Sequence, residues 1–572
     1  MKAVALMLFS FVGYLIAYHT YGKFLARKIF KLKLDRQVPS RELEDGVDFI
    51  PTRKSIIFGH HYTSIAGTGP IVGPAIGIIW GWVPAMIWIF FGSIFMGAVH
   101  DLGSLVLSLR NRGESLSEFA ARYVNLRMRY IAFLIIFLEL LIIIAIFGVI
   151  IAMIFQLFPQ SVFPVWMEIP IAIILGWLIY KRSANILIST AAAVTLMYIT
   201  LFLGHYLPFS MPAIGGLPAT GVWTIILLIY AGVASVIPVN RLLQPRDYIN
   251  AWQLFIAMGA LVLGILGSGL WGNLEIVAPA LNVSPAGAPP LLPFLFITIA
   301  CGALSGFHAV VSSGTTSKQI ASEPDALFVG YGSMLMEALL ATLVVIAVGA
   351  GIGLAYQQSD GSILTGTTAW HQHYASWGSS QGLASKINAV VIGSANMMES
   401  IWIPKSLGII VIGVFIASFA GTTLDSATRI QRYVITELFR DMKLKALTNR
   451  YITTAFVVLT AAALAFITGA DGKGALTLWP LFGAVNQLLA GMALIVITIY
   501  LKKKRKGLTY LITAIPALII LIMTIWAIFL NEFSYWESGH GLLVFINALV
   551  FCLAIWMVIE GLAFALKKTE SA

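Results

Sequence analysis

The sequence has little charge and few polar segments. Asp, Glu, Lys and Arg make up only 11% of its 572 residues, whereas 59% are hydrophobic. A soluble domain carries about 25% charged residues, so this composition excludes a protein built around one water-soluble core. No polar stretch is long enough to fold as a separate domain, which predicts a single polytopic membrane unit over residues 1–572.

Cysteine and enzyme motifs are also scarce. The two cysteines, Cys301 and Cys552, lie within apolar runs, so we expect no disulfide and no redox role. The sequence contains no P-loop, no HExxH and no GxSxG, which argues against an enzyme. His371 and His373 have no supporting cluster of ligands, so we expect neither a metal site nor a cofactor. No basic soluble module is present either, which argues against nucleic-acid binding.

Long apolar runs dominate what remains. Runs such as residues 133–155 indicate helices rather than the short alternating strands of a barrel. The sequence therefore predicts an all-α fold with about fifteen transmembrane helices. The predicted spans are residues 3–22, 56–82, 84–109, 130–156, 168–180, 184–206, 220–238, 249–271, 291–317, 326–355, 404–425, 450–469, 478–501, 508–530 and 541–566. The first has no small-residue cleavage site, so we expect a retained helix rather than a signal peptide.

Basic residues divide the connections between these spans into two sets. One set contains only Lys2, Lys386, Lys405 and Lys473, and the other contains the remaining 32 of the 36 Lys and Arg residues. We call the side with these four lysines the opposite side, and the side with the other 32 residues the basic side. The basic side is expected to include Arg246, the run 502–506 and the pair Lys567-Lys568. The positive-inside rule predicts that it is cytoplasmic and faces anionic membrane lipid, with the N-terminus outside and the C-terminus inside.

Two predicted spans, the second and the ninth, contain residues that interrupt an α-helix. Proline removes a backbone donor and glycine weakens the helix, so we expect both spans to be broken. In a membrane the freed backbone groups need partners, which makes a matched pair of breaks a candidate substrate site. The alternative is close helix packing at small residues. The candidate binding residues at the two breaks are Gly67, Gly69, Pro70, Gly73, Ser305, Gly306, His308, Ser312 and Ser313.

Ionisable side chains within the spans are candidates for ion coupling. His60 and His61 lie near the start of the second span, and both can exchange protons near neutral pH. His308 follows the break in the ninth span, where an imidazole could donate to a substrate carboxylate or could simply be a packing residue. Glu139 and Glu337 are either buried protonated carboxyl groups or proton-coupling acids.

The eleventh span ends in a run of hydroxyl and charged residues. Thr422 and Thr423 could ligate Na⁺ together with carbonyl groups of an unwound helix. Asp425 and Arg429 stand four residues apart on one helical face, so we expect them to form an ion pair, and Asp425 is a further ion-coupling candidate. In the thirteenth span, Asn486 and Gln487 are expected to form hydrogen bonds between helices.

Four segments resemble the carbon starvation protein A (CstA) family. They are FGHHYTSIAGTGPIVGP (58–74), LLQPRDYI (242–249), LLPFLFITIACGALSGFHAVVSSGTTSK (291–318) and TLWPLFGAVNQLLAGMAL (477–494). The resemblance implies a bacterial inner-membrane carrier for peptides or, with proton symport, for pyruvate. It also implies the LeuT-like fold of the amino acid-polyamine-organocation superfamily. The broken first and sixth core helices of that fold would correspond to the two breaks, and its eighth core helix to Thr422 and Thr423.

The resemblance further implies two inverted repeats, over residues 56–206 and 291–501. Residues 1–22 and 508–566 would then be peripheral, and a seven-plus-seven repeat is the alternative. The chain is shorter than the longer family members in the loop 356–403. The implied function is a secondary active transporter for short peptides or a small carboxylate, coupled to H⁺ or Na⁺. The alternative is a channel or a nutrient sensor, although neither a repeated filter nor an output domain is recognisable in the sequence.

Overall fold

The computed structural model describes residues 1–358, 361–380, 382–504 and 507–566, and it is helical almost throughout. The α-helices are α1 (Lys2–Ala17), α2 (Pro39–Glu42), α3 (Lys54–Ala66), α4 (Gly69–Gly77), α5 (Trp82–Ile87), α6 (Ala98–Arg110), α7 (Leu116–Tyr123), α8 (Leu126–Leu157), α9 (Val162–Tyr180), α10 (Ile186–Tyr206), α11 (Ala219–Val236), α12 (Leu243–Leu270), α13 (Leu291–Thr298), α14 (Gly306–Gly314), α15 (Ser333–Gly349), α16 (Gly366–His373), α17 (Trp377–Ser380), α18 (Leu383–Glu399), α19 (Lys405–Asp441), α20 (Arg450–Ala465), α21 (Trp479–Lys504), α22 (Leu511–Glu537) and α23 (Gly541–Leu566).

Shorter elements extend or connect these helices. The π-helical segments are Tyr18–Gly22, Leu25–Ile29, Trp88–Gly97 and Leu327–Gly332. The 3₁₀ turns are Ile78–Trp80, Pro159–Ser161, Thr316–Lys318, Gly351–Gly353, Lys445–Thr448 and Gly474–Leu478. Two short strands, β1 (Tyr356–Gln357) and β2 (Ile363–Leu364), pair antiparallel. The predicted all-α class is confirmed.

Most of the predicted spans are single long helices. Within the described part of the chain, twelve helices, counted with their π and 3₁₀ extensions, are long and apolar enough to cross a membrane. A thirteenth span consists of α3 and α4, which are bent by 40° at a break. The two other predicted spans correspond to α20, which has 16 residues, and to the pair α13 and α14.

One boundary differs in a way that matters for the site. The eighth span was expected to begin at residue 249, but α12 begins at Leu243. Pro245 lies in the first turn of this helix, where a missing backbone donor is tolerated. Arg246 was expected in a basic connection and is instead buried within α12, with only 4% of its surface exposed.

Connections of the basic side meet at one end of the bundle. Residues 31–53, which we call the N-terminal strap, run across this end. The strap contacts Glu323 through Arg36 (2.9 Å) and Arg429 through Asp48 (2.8 Å). These contacts agree with the predicted grouping of the connections. Two basic groups of that prediction, residues 505–506 and 567–568, lie outside the described residues.

Burial separates the central spans from the peripheral ones. The spans Leu327–Gly353, Gly474–Lys504 and Lys405–Asp441 are 94%, 89% and 83% buried within the protein. By contrast, the spans Lys2–Ile29 and Gly541–Phe564 are each only 33% buried. The exact repeat boundaries stay a prediction, because burial does not define them.

Candidate transport site

The first break lies at Gly67 and Thr68, between α3 and α4. Gly67 has a φ of +39°, a backbone conformation that favours glycine because it has no Cβ atom. The Thr68 carbonyl accepts hydrogen bonds from the amides of Ile71 (3.2 Å) and Val72 (2.9 Å), which starts α4. Pro70 occupies the first turn of α4, where its missing N–H would have no helical partner. The predicted break in the second span is therefore confirmed.

The second break comprises residues 299–305, between α13 and α14, and α21 holds it in place. Asn486 accepts a hydrogen bond from the amide of Phe307 at 2.9 Å. Gln487 donates to the carbonyl of Leu304, also at 2.9 Å. Since backbone groups within a membrane need internal partners, these two amide side chains stabilise the unwound segment. The expected interhelical hydrogen bonds of Asn486 and Gln487 are present.

Two of the predicted site residues in this segment also contact α21. The Ser305 hydroxyl donates to Asn486 Oδ1 at 3.1 Å. A Cβ atom on Gly306 would lie 2.6 Å from the backbone nitrogen of Ala490, so the backbones of α14 and α21 are in close contact here. Ser305 and Gly306 therefore fix the position of the break against its neighbour.

The two breaks lie directly against each other. A Cβ atom on Gly69 would lie 2.5 Å from the Cβ atom of Cys301, and one on Gly73 would lie 2.6 Å from the carbonyl oxygen of Thr298. In addition, α3 packs against α14, and α4 packs against α13. This pairing means that the two broken spans run in opposite directions, as their odd separation in the sequence predicts.

His308 lies between two buried carboxyl groups, two residues after the start of α14. Its Nδ1 atom is 2.9 Å from Asp101 Oδ2, and its Nε2 atom is 3.1 Å from Glu337 Oε2. Asp101 also bonds His100 Nδ1 at 2.7 Å, and Glu337 accepts the amide of Gly302 at 3.1 Å. We call His308, Asp101 and Glu337 the acid–histidine cluster; all three are fully buried.

The net charge of this cluster depends on how many protons it holds. One protonated imidazole neutralises only one of the two carboxylates, and an uncompensated charge in the interior costs several kcal/mol. At least one further exchangeable proton is therefore favoured when the cluster is closed from water.

Cys301 Sγ also lies within 4.8 Å of ligand atoms of His308 and Glu337, a spacing that could suit a metal ion. His308 Nδ1 and Glu337 Oε1 bond Asp101 and Gly302, whereas His308 Nε2 and Glu337 Oε2 have no hydrogen-bond partner among the described residues.

His60 and His61 bond other partners. His60 Nδ1 lies 2.6 Å from Asp247 Oδ2, and its Nε2 lies 3.1 Å from the Thr315 hydroxyl. His61 Nδ1 lies 2.8 Å from the Thr316 hydroxyl. The two histidines thus connect α3 to α12 and to the chain that follows α14. No hydrogen bond joins either of them to the acid–histidine cluster among the described residues.

The two threonines of α19 face different neighbours. Thr423 donates to the carbonyl of Ser64 at 3.2 Å, beside the first break. Thr422 instead accepts from Arg246 Nη2 at 3.0 Å and from Asn250 at 3.3 Å. Adjacent residues on a helix point in different directions, so the two hydroxyls do not converge on one position.

The predicted ion pair between Asp425 and Arg429 is wrong. Asp425 Oδ2 lies 2.5 Å from Arg246 Nη1 and accepts the Tyr230 hydroxyl at 3.0 Å. Arg429 instead pairs with Asp48 of the strap at 2.8 Å. The spacing along α19 allows the predicted pair, but Asp425 pairs with Arg246 of α12 and Arg429 pairs with Asp48 of the strap.

Several buried polar atoms near the breaks have no hydrogen-bond partner among the described residues. They include Thr68 Oγ1, Ser312 Oγ, His61 Nε2 and His100 Nε2. Buried polar groups are usually hydrogen-bonded, so each of these atoms is free to bond a ligand or water. Ser313 is different, because its hydroxyl donates to a carbonyl of its own helix at 2.8 Å.

Sequence similarity establishes the family. Residues 2–527 match the family described as Carbon starvation protein CstA. The chain belongs to this family. It is 32% identical to the peptide transporter CstA of Campylobacter jejuni, over 100% of this chain and 86% of that protein. It is also 32% identical to the pyruvate/proton symporter BtsT of Escherichia coli, over 93% of this chain and 82% of that protein.

Two solved structures are also similar to this chain. The structure of MhsT with L-phenylalanine has a TM-score of 0.46 and 13% identity, and it covers 83% of this chain and 98% of MhsT. A mutant manganese transporter of Eremococcus coleocola has a TM-score of 0.48 and 12% identity, and it covers 91% of this chain and 99% of that one.

Proposed function

We propose that this CstA-family chain is a secondary active transporter that imports short peptides or a small carboxylate such as pyruvate, coupled to protons. The observation that carries the proposal is the contact between two broken spans beside the acid–histidine cluster. The relatives named as a peptide transporter and as a pyruvate/proton symporter support the substrate class and the coupling ion.

The breaks are suited to bind a carboxylate. Helix α4 begins at Gly69 and α14 begins at Gly306, so both helices present their N-terminal amide groups towards the breaks. Helix N-termini carry unpaired amides and a partial positive charge, which favour a carboxylate ligand. Pyruvate and peptides both have such a group. The candidate binding residues therefore extend from Gly67 to Gly73 and from Ser305 to Ser312.

The acid–histidine cluster supports proton coupling. Its three side chains come from α6, α14 and α15, so a change in its charge alters the attraction between α14 and its two neighbours. Loss of a proton leaves an uncompensated charge, which favours a conformation in which water reaches the cluster. Protonation thereby becomes linked to closure of the site, as symport requires. Of the two threonines Thr422 and Thr423, only Thr423 contacts the residues beside the first break. A single hydroxyl is a poor Na⁺ site, so Na⁺ is the weaker candidate for the coupling ion.

We assign the basic side to the cytoplasm, because loops rich in Lys and Arg are retained there. The N-terminus then lies outside and the C-terminus inside, in a multi-pass protein of the bacterial inner membrane. In this orientation α14 runs from the breaks towards the cytoplasm, and α4 runs from the breaks towards the outer surface.

Counterflow in proteoliposomes tests the proposal. Vesicles preloaded with unlabelled pyruvate or trialanine should accumulate the labelled compound faster than empty vesicles, because only an alternating-access carrier exchanges in this way. An inside-alkaline pH gradient should drive net uptake in the absence of Na⁺, and a proton ionophore should abolish it. Flux that ignores preloading would indicate a channel, whereas no flux of either compound would contradict the proposed function.

The same vesicles test the choice of coupling ion. Replacing Na⁺ by choline should leave uptake unchanged, and Thr423→Ala should not alter this independence of Na⁺. If uptake instead requires Na⁺ and Thr423→Ala raises the concentration needed, the coupling ion is Na⁺ and the acid–histidine cluster has another role.

A further inference from the structure

Lys386 is a fully buried lysine in α18, on the side of the bundle opposite to the basic loops. It is one of only four Lys and Arg residues that the sequence places on that side. Among the described residues, its Nζ atom has no hydrogen-bond partner and no acidic side chain forms an ion pair with it. An ammonium group carries three donors, so this position is unusual for a lysine without a bound anion.

One aromatic ring lies against this amine. Its Nζ atom lies 3.9 Å from the centre of the Tyr374 ring, and Trp370 stacks on the same tyrosine with ring centres 4.2 Å apart. The Tyr374 hydroxyl donates to the carbonyl of Ala75 at 2.5 Å. Ala75 lies in α4, the helix that begins at the first break. The lysine is therefore connected through one side chain to the outer half of the candidate transport site.

Burial determines the charge of Lys386. It lowers the pKa of the amine to about 6, because transfer of an ammonium group out of water favours the neutral form. The ionisable groups that face it are His373 and Tyr374. Burial, followed by the nearby charge of Lys386, lowers the pKa of His373 to about 4, so this imidazole is neutral near pH 7. Helix α4 has no ionisable side chain, and no described acidic residue of α12, α15 or α19 pairs with Lys386.

We propose that Lys386 binds the carboxylate of an incoming substrate at an outer site, and that the amine takes up one proton as the carboxylate arrives. The neutral amine, a proton from the outer solution and the carboxylate then combine into an ammonium–carboxylate pair. The Tyr374 ring supplies a second, weaker stabilisation of the ammonium group. As a step in uptake this inference rests on the proposed function, but as a carboxylate site it can be tested alone.

The proposal predicts a specific dependence on pH. The carboxylate binds only the protonated amine, so below about pH 6 the amine is already charged and affinity is constant. Above that pH each binding event must also take up a proton. The apparent Kd should therefore rise about tenfold for each unit of pH between 7 and 8.

Binding to the purified full-length protein in detergent provides the test. Pyruvate and trialanine are added at pH 7 in weak buffer with a pH indicator, and pyruvamide and trialanine amide are the controls without a carboxylate. We expect uptake of about one proton for each carboxylate bound, and none with the amides. Calorimetry at pH 7 and pH 8 measures the change in Kd. Lys473, an exposed lysine on the same side, provides the control variant Lys473→Met.

The variants separate a binding role from a structural one. Lys386→Met should abolish the proton uptake and weaken binding at least tenfold, while its melting temperature stays equal or rises because a buried unpaired amine is lost. Lys386→Arg should bind without pH dependence, because guanidinium stays charged. If wild type and Lys386→Met bind alike without proton uptake, the inference is overturned. If the wild type binds the carboxylate and takes up a proton but does not transport it in proteoliposomes, the proposed function fails and the carboxylate site stands.

Discussion

Gly69 and Cys301 lie so close that a Cβ atom on the glycine would be 2.5 Å from the Cβ atom of the cysteine. These residues belong to the two broken spans, so the first break rests on the second without an intervening side chain. A substrate that binds between the breaks must separate this pair. We therefore expect the site to open at the Gly69–Cys301 contact.

Gly69→Ala should reduce uptake at least tenfold at normal expression, because its Cβ atom overlaps Cys301 and forces the breaks apart. Gly259→Ala is the matched control, since no atom lies within 4 Å of the position of its Cβ atom. Replacement of both partners, Gly69→Ala with Cys301→Gly, should recover part of the lost rate. Labelled uptake in proteoliposomes measures all three, and a wild-type rate for Gly69→Ala would exclude a site at this contact.

His308→Gln should abolish the coupling of uptake to protons but retain the exchange of substrate across the membrane. Glutamine keeps a hydrogen-bond donor for Asp101 but cannot titrate, so net uptake should lose its pH dependence while counterflow continues. Asp101→Asn should behave in the same way, because it removes the charge that pairs with the imidazole. His19→Gln, at an exposed position in the first span, is the control. An unchanged pH profile for His308→Gln would assign His308 to packing.

The Arg246–Asp425 pair should be important for stability. Asp425→Asn leaves a buried guanidinium without its counter-charge, which should lower the free energy of unfolding by about 3–5 kcal/mol. Replacing both partners, Arg246→Met with Asp425→Leu, should be less harmful than either single change. Thermal unfolding in detergent measures the cycle. A loss in the double variant equal to the sum of the losses in Arg246→Met and Asp425→Leu would show that the two charges are not coupled.

Asp48 and Arg429 should hold the basic side closed. Asp48→Asn weakens the ion pair between the strap and α19, so Cys301 should react faster with a maleimide added from the basic side. The assay uses a Cys552→Ser background, because Cys552 is exposed and would react as well. Asp45→Asn, elsewhere in the strap, is the control. Equal labelling of the Asp48 and Asp45 variants would contradict a closing role.

The same ion pair should not respond to pH in the physiological range. Burial alone would raise the pKa of Asp48, but the charges of Arg429 and Arg432 and the Tyr433 hydroxyl together lower it. A carboxyl group with a lowered pKa stabilises the folded state above its unfolded value of about 3.9 and loses that effect only as pH falls through its lower folded pKa. Cys301 labelling should therefore be independent of Asp48 ionisation from pH 5 to pH 8.

Local sequence signals were sufficient to locate both breaks. Glycine and proline act on their own turn of helix, so the interruptions at Gly67 and around Gly302 could be predicted without any neighbouring element. The opposite directions of the two broken spans followed from their odd separation in the sequence. Features that depend on a single segment were thus accessible from the sequence.

Partners from distant segments were not accessible in this way. Asp101 completes the acid–histidine cluster from α6, and the adjacent pair His100-Asp101 within an apolar run was the signal that could have revealed it. Arg246 was assigned to a connection because charged residues usually mark the end of a span. Glu139 and Glu337 were both selected because each is an acidic residue within a predicted span. Glu337 belongs to the acid–histidine cluster, but neither carboxyl oxygen of Glu139 has a hydrogen-bond partner among the described residues.

The amide groups of α21 give the two breaks different stiffness. Asn486 and Gln487 tie the unwound residues 299–305 to a central helix, and the Glu337 carboxylate bonds the same segment. Within the described residues the first break has no comparable support, since Thr68 Oγ1 has no hydrogen-bond partner and Thr423 bonds only the preceding turn. We therefore expect bending to concentrate at Gly67, so that in a transport cycle the first broken span moves while the second keeps its position against α21.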